Sequence, residues 1–65
     1  MQLKKTKGGY RITVEFASRE GKENTATFFW DRSDLKVESI TDLDYLKDIY
    51  DDVWQKISFL NKTAL

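Results

Sequence analysis

From residue 41 to residue 62 the apolar positions Leu43, Leu46, Ile49, Tyr50, Val53, Ile57 and Leu60 recur every three or four residues. That is the period of an α-helix, and at about 100° per residue the seven share roughly a third of its circumference. Asp44, Lys47, Asp48, Asp51, Gln55, Ser58 and Lys62 take the opposite side. Thr41 stands where an N-cap hydroxyl would accept a backbone N–H one turn on. Asp44 follows at the capping-box spacing, and Ile40 and Tyr45 hold the two staple positions. Three aromatics lie off the stripe. Tyr45 and Trp54 sit at its margins and broaden the buried band. Phe59 turns toward the polar side, where it either packs against a chain terminus or anchors a partner.

Upstream of residue 41 the period changes to two. Over residues 10–18, Tyr10, Ile12, Val14 and Phe16 alternate with Arg11, Thr13, Glu15 and Ala17, the signature of a half-buried strand. Residues 19–22 are polar and include Gly21, which reads as a hairpin loop into a returning strand over 23–31. There Ala26, Phe28 and Trp30 face inward, and Thr25, Thr27 and Phe29 outward. A second turn around Asp31–Asp34 leads to a shorter strand over 35–40, with Leu35 and Val37 inward and Lys36, Glu38 and Ile40 outward. The expected fold class is α+β: a three-stranded antiparallel meander packed against one C-terminal amphipathic helix, β-β-β-α, in a single domain over 1–65. Its expected core is Ile12, Val14, Phe16, Phe28, Trp30, Leu35, Val37, Leu46, Ile49, Val53, Ile57 and Leu60. Residues 1–9, MQLKKTKGG, carry one apolar side chain, Leu3, and read as a basic arm, either flexible or ordering on a partner or on the sheet edge.

Composition narrows the chemistry. A hydrophobic fraction of 40% is too high for a disordered chain. At 65 residues the core is small, so stability is expected to be marginal or to draw on a partner or a second copy. There is no His and no Cys, which excludes catalytic triads, imidazole acid–base chemistry, thiolate metal sites and disulfides. Gly8, Gly9 and a lone Gly21 do not make a phosphate loop. The expectation is therefore no enzyme and no cofactor. Asp44, Asp48, Asp51 and Asp52 suggest a cation, but a hard cation needs converging oxygens, and a straight solvated helix splays carboxylates apart. No metal is expected. Without cysteines, an apolar leader or an apolar span, the expected location is the cytoplasm.

Charge is balanced at 11 basic and 11 acidic residues but unevenly placed. Residues 1–11 hold Lys4, Lys5, Lys7 and Arg11 and no acid, while eight acids fall in residues 31–52. A dipolar molecule favours oriented docking to a charged partner. The outer sheet face is expected to present Arg11, Thr13, Glu15, Thr25, Thr27, Phe29, Lys36 and Glu38. Phe29 is the odd member, either covered by the arm through Leu3 or anchoring a partner. The leading expectation is a non-catalytic protein-binding module, an adaptor or inhibitor that covers a partner protein's surface, of a kind often encoded by phages and mobile elements. Its partner-binding residues would be Phe29, Arg11, Thr27 and Lys36 on the sheet and Tyr45 and Phe59 along the helix margin. Asp48 and Asp52 would steer it to a basic partner. Exposed edges on the first and third strands also favour a homodimer, through an edge or through Phe29 and Phe59.

Three antiparallel strands followed by a helix, over roughly residues 9–57, resemble in topology the arm-binding domain of phage and transposon integrases and plant AP2-type domains. That resemblance implies the alternative function, DNA binding, with the outer sheet face in a major groove. Lys4, Lys5, Lys7, Arg11 and Lys36 would then contact nucleic acid. Glu15 and Glu38 share that face, so it supplies little phosphate neutralisation.

Overall fold

A computed structural model describes the backbone of residues 1–62 and the side chains of residues 1–59. Four strands precede the helix: β1 (Gln2–Thr6), β2 (Gly9–Ala17), β3 (Glu23–Trp30) and β4 (Leu35–Ile40). They form one antiparallel sheet in the order β1-β2-β3-β4, with helix α1 (Leu46–Lys62) after a 3-10 turn at Leu43–Tyr45. The α+β class with a C-terminal helix stands, and the three-stranded count is corrected to four. The added strand is the basic segment itself. Of the alternatives for residues 1–9, ordering on the sheet edge holds: the segment forms β1 and a turn at Lys7-Gly8, with Gly8 in the left-handed region (φ 87°) that its missing Cβ permits. Leu3 faces inward opposite Ile12 and packs on the core, rather than covering Phe29. The edges are accordingly β1 and β4. Lys4 and Lys5 on one and a bulge on the other are devices that discourage edge pairing.

The bulge changes which residues of β4 face the core. Phe28 pairs with Val37 but Thr27 pairs with Ser39, leaving Glu38 as the extra residue. Parity flips there, so Ile40, expected outward, lies opposite Ala26 and packs on the core. Val37, expected in the core, is 39% exposed, because an edge strand has a neighbour on one side only.

Tyr10, Ile12, Val14, Ala26, Phe28, Trp30, Leu35, Val53 and Ile57 form the buried core. Phe16 and Ile49 pack on it half-buried, and Leu46 is half-buried. Leu60, also expected there, lies outside the described side chains. Tyr45 and Trp54 do broaden the band. Tyr45 packs tilted against Phe16 at 5.6 Å, and Trp54 sits edge-on to Tyr50 at 6.3 Å. Tyr50 donates from its hydroxyl to the carbonyl of Leu35 at 2.9 Å, fastening the middle of α1 to the start of β4.

The helix start differs from its expected form. Asp42, not Thr41, is the cap: it lies in the extended region and accepts the Asp44 N–H at 3.0 Å. Thr41 instead joins the sheet to the helix. Its hydroxyl accepts the Thr25 N–H at 3.0 Å and donates to Asn24 Oδ1 at 2.8 Å. The first turn is 3-10, with three residues per turn rather than 3.6, so the 100° step that placed Leu43 on the apolar stripe does not apply. Leu43 is 74% exposed. No helix among the described residues is long and apolar enough to cross a membrane.

Candidate functional site

Antiparallel order puts the β2–β3 loop and the helix start at one end of the sheet, and the β1–β2 turn and β3–β4 loop at the other. Each end carries a hollow. At the helix-start end a cleft of about 460 Å³ opens between Ser18–Lys22 and the first helical turns, with Asp42, Asp44, Tyr45 and Asp48 on its far wall. Its loop is held by hydroxyls: Ser18 Oγ accepts the N–H groups of Glu20 (3.3 Å) and Lys22 (3.2 Å). The Tyr45 hydroxyl accepts the Arg19 N–H at 2.9 Å and ties loop to helix. Three carboxylates thus face Arg19 and Lys22 across a groove, with exposed Leu43 between two of the acids in the chain. No group of three or more acidic, His or Cys side chains among the described residues is placed to hold a metal ion.

At the opposite end a hollow of about 320 Å³ lies between the β1–β2 turn and the β3–β4 loop, with Lys5, Thr6, Tyr10, Asp31 and Arg32 in its wall. Arg32 Nη2 donates to the Tyr10 hydroxyl at 2.8 Å. That bond lowers the Tyr10 phenol below its ordinary value; burial works against it, and the charges of Arg32 and Lys5 add to it. Asp31 Oδ1 accepts the N–H of Asp34 (2.7 Å), the N–H of Ser33 (2.9 Å) and the Ser33 hydroxyl (3.3 Å). These bonds, those from the Asp34 and Ser33 backbone foremost, hold its carboxyl below the usual carboxylate value. The Thr6 hydroxyl is shielded from solvent without a hydrogen-bond partner, as is the Trp30 indole N–H in the adjoining core.

On the outer face the register aligns Lys4, Arg11, Phe29 and Lys36 in one cross-strand row. Arg11 reaches over β3 to Glu38, Nε to Oε1 at 3.0 Å. Phe29 has a structural task. A Cβ built on Gly9 would lie 2.8 Å from Phe29 Cζ and would collide with the Trp30 carbonyl oxygen. The ring covers the bare backbone of Gly9, an aromatic shielding a strand glycine, and is itself half-buried.

The expected site residues therefore fall in separate places. Phe29, Arg11, Thr27 and Lys36 share the outer face; Tyr45 and Asp48 line the cleft. Asp52 is paired with Lys56 at 3.0 Å one turn on. Phe59 is 67% exposed, but about 20 Å along the helix from Tyr45 at 1.5 Å per residue, so the two do not form one patch. Of the cations expected on nucleic acid, Lys4, Arg11 and Lys36 come together in the row. Lys5 faces the opposite side beside Tyr10, and Lys7 lies in the β1–β2 turn. The basic hollow was not foreseen from the sequence. No protein-family model, curated protein or solved structure matches this chain.

Proposed function

We propose that this chain is a small protein-binding module, an adaptor or inhibitor of the kind phages and mobile elements encode, that works in the cytoplasm by covering a basic patch on another protein. The supporting observation is the cleft at the helix start, where Asp42, Asp44 and Asp48 flank a groove and Leu43 stands 74% exposed beside them. An exposed leucine among carboxylates suits a partner that offers a Lys or Arg next to an apolar residue. The acids speed the encounter and the leucine supplies the desolvated contact. The chain acts by binding alone, without catalysis or cofactor.

A second reading, nucleic-acid binding through the outer sheet, draws support from the row Lys4–Arg11–Phe29–Lys36. The Arg11–Glu38 pair weighs against it, because one of the three cations is already neutralised. One experiment separates the readings: capture of partners from the source cell extract by the tagged protein, with and without nuclease, alongside the double variant Leu43→Asp, Asp44→Lys. The expected result is a nuclease-resistant protein that the double variant no longer retains, while its melting temperature stays close to the parent's. Capture that vanishes with nuclease and survives the double variant would favour the sheet row. Its affinity would then fall with salt at a log–log slope of about −2.7 for three phosphates.

A further inference from the structure

We propose that the hollow between the β1–β2 turn and the β3–β4 loop binds a phosphate group, as the free ion or as a small phosphate monoester, through Arg32 and Lys5. The site lies at the opposite end of the sheet from the acidic cleft and does not depend on the function assigned to that cleft.

The first observation is the backbone of Arg32. Its φ of 79° is the only positive φ at a non-glycine position among the described residues. A side chain there crowds the neighbouring carbonyl, and Gly or Asn is the ordinary occupant. The turn needs the conformation but not a guanidinium. Strain of this kind persists where something else selects the side chain.

The second observation is how the guanidinium is held. Its donation to the Tyr10 hydroxyl uses one of five N–H donors. Its carbon lies 5.5 Å from the Tyr10 ring centroid, so the planar group is set against a buried aromatic. Neither Arg32 nor Lys5 has an ion-pair partner among the described residues, whereas Arg11 and Lys56 do. Lys5 arrives from β1, where it is the register partner of Tyr10, so the two cations flank one phenol ring. Asp31 is the one acid in the wall, and its Oδ1 already takes three hydrogen bonds from its own loop. The wall carries two cations against one anion, and apart from the Arg32–Tyr10 bond the cations keep their donors unspent among the described residues.

The third observation is the shape. A hollow of about 320 Å³ is at the lower end of the range for small-molecule sites and exceeds what a lone ion fills. A guanidinium fork satisfies two oxygens of an oxyanion, and an ammonium can take a third. A carboxylate has only two oxygens to offer; a phosphate has three or four.

The test is a titration of the 15N-labelled full chain followed by amide chemical shifts. Inorganic phosphate and phenyl phosphate are added in separate arms, with chloride holding the ionic strength constant. Saturable shifts are expected at residues 5–10 and 31–33, with little change at Lys22, Lys47 or Lys56. The tighter arm tells whether the site takes the free ion or a monoester. Arg32→Gly should weaken binding at least tenfold while melting no lower than Arg32→Ala, because glycine is at ease at this φ. Arg32→Lys keeps the charge, loses the fork and should weaken binding several-fold. Lys5→Gln, at an exposed position on an edge strand, repeats the test without touching the β3–β4 turn and should also weaken binding. Shifts that fail to saturate, or that spread over every lysine, would overturn the proposal. So would an Arg32→Gly or Lys5→Gln chain that binds either phosphate as tightly as the parent.

Discussion

The two ends of the sheet have similar materials, a short polar loop and several charged side chains, and put them to different use. At the helix-start end the loop and the sheet are tied to the segment that leads into the helix: Arg19 N–H to the Tyr45 hydroxyl, Thr25 N–H to the Thr41 hydroxyl, and that hydroxyl to Asn24. At the other end the β3–β4 loop is held by its own residues, Asp31 accepting from Ser33 and Asp34, and by one outward link, Arg32 to Tyr10. The first end is a joint between two layers, and its bonds are the means by which the helix registers on the sheet. The second is a rim, whose side chains retain unused hydrogen-bonding capacity. A joint is bound to lose stability when its side chains change. A rim is expected to lose ligands first.

The largest effect tests whether the rim has any rigid part, and Gly9 is where it should be found. Gly9 has no positive φ to protect, so its requirement is space alone: a Cβ would meet the Trp30 carbonyl, Phe29 Cζ and, at 3.1 Å, Asp31 Cα. Two of those three atoms are backbone and cannot turn aside. Gly9→Val is expected to destabilise by about 3 kcal/mol, the upper part of the usual overpacking range. For a domain of this size that lowers the melting temperature by roughly 12–24 °C. Urea midpoints measure it. A loss below about 1 kcal/mol would mean that β2 and β3 are not apposed at Gly9 as described.

At the joint the effects are smaller and discriminate between its two roles. Thr41→Val keeps the shape but removes the acceptor of the Thr25 N–H and the donor to Asn24, at a cost of about 1–2 kcal/mol. Asp42→Ala removes the cap of the 3-10 turn and costs about 1 kcal/mol. If Thr41 were the cap, Asp42→Ala would be nearly neutral. The described geometry instead makes both positions matter, through different partners. Denaturation of the two single variants and the double variant checks this, the losses adding to within about 0.5 kcal/mol only if the bonds are independent.

The same contrast explains what could be read along the chain. The helix, β2 and β3 announce themselves because their periods are long and clean, Ile12 to Phe16 at two and Leu46 to Ile57 at three and four. Two acids of the cleft were visible too, since Asp44 and Asp48 come from one continuous segment. β1 was hidden because Gln2–Thr6 has a single apolar residue: an edge strand protected by lysines lacks the alternation that betrays a buried one. Losing β1 meant losing the basic hollow, for Lys5 and Arg32 stand 27 positions apart and meet only through the β1–β2 and β2–β3 pairings. Ile40 was misplaced for a related reason: a bulge shifts parity by one residue, and no feature of LKVESI marks Glu38 as the extra one. Val37 keeps its inward parity opposite Phe28 and is exposed only because β4 is an edge strand.

The smallest effect is a titration that separates the two loops by the chemistry of their fastenings. The β2–β3 loop is stapled by two hydroxyls, those of Ser18 and Tyr45; the β3–β4 loop is stapled by the Asp31 carboxylate. Asp31 is more acidic in the folded chain than its ordinary value of 3.8, because it accepts the Asp34 and Ser33 N–H groups in its ionised form. A carboxyl lowered on folding contributes stability that is complete above the unfolded value and is lost as pH falls through the folded one. Descending from about pH 5 to about pH 2, the amide signals of Ser33 and Asp34 are therefore expected to move with a midpoint below that ordinary value. Asp31→Asn keeps an accepting oxygen but no charge, so its stability should fall less steeply than the parent's over the same range. A parent and an Asp31→Asn chain with parallel acid profiles would mean that the carboxylate does not fasten the rim, and the contrast between the two ends would lose its chemical basis.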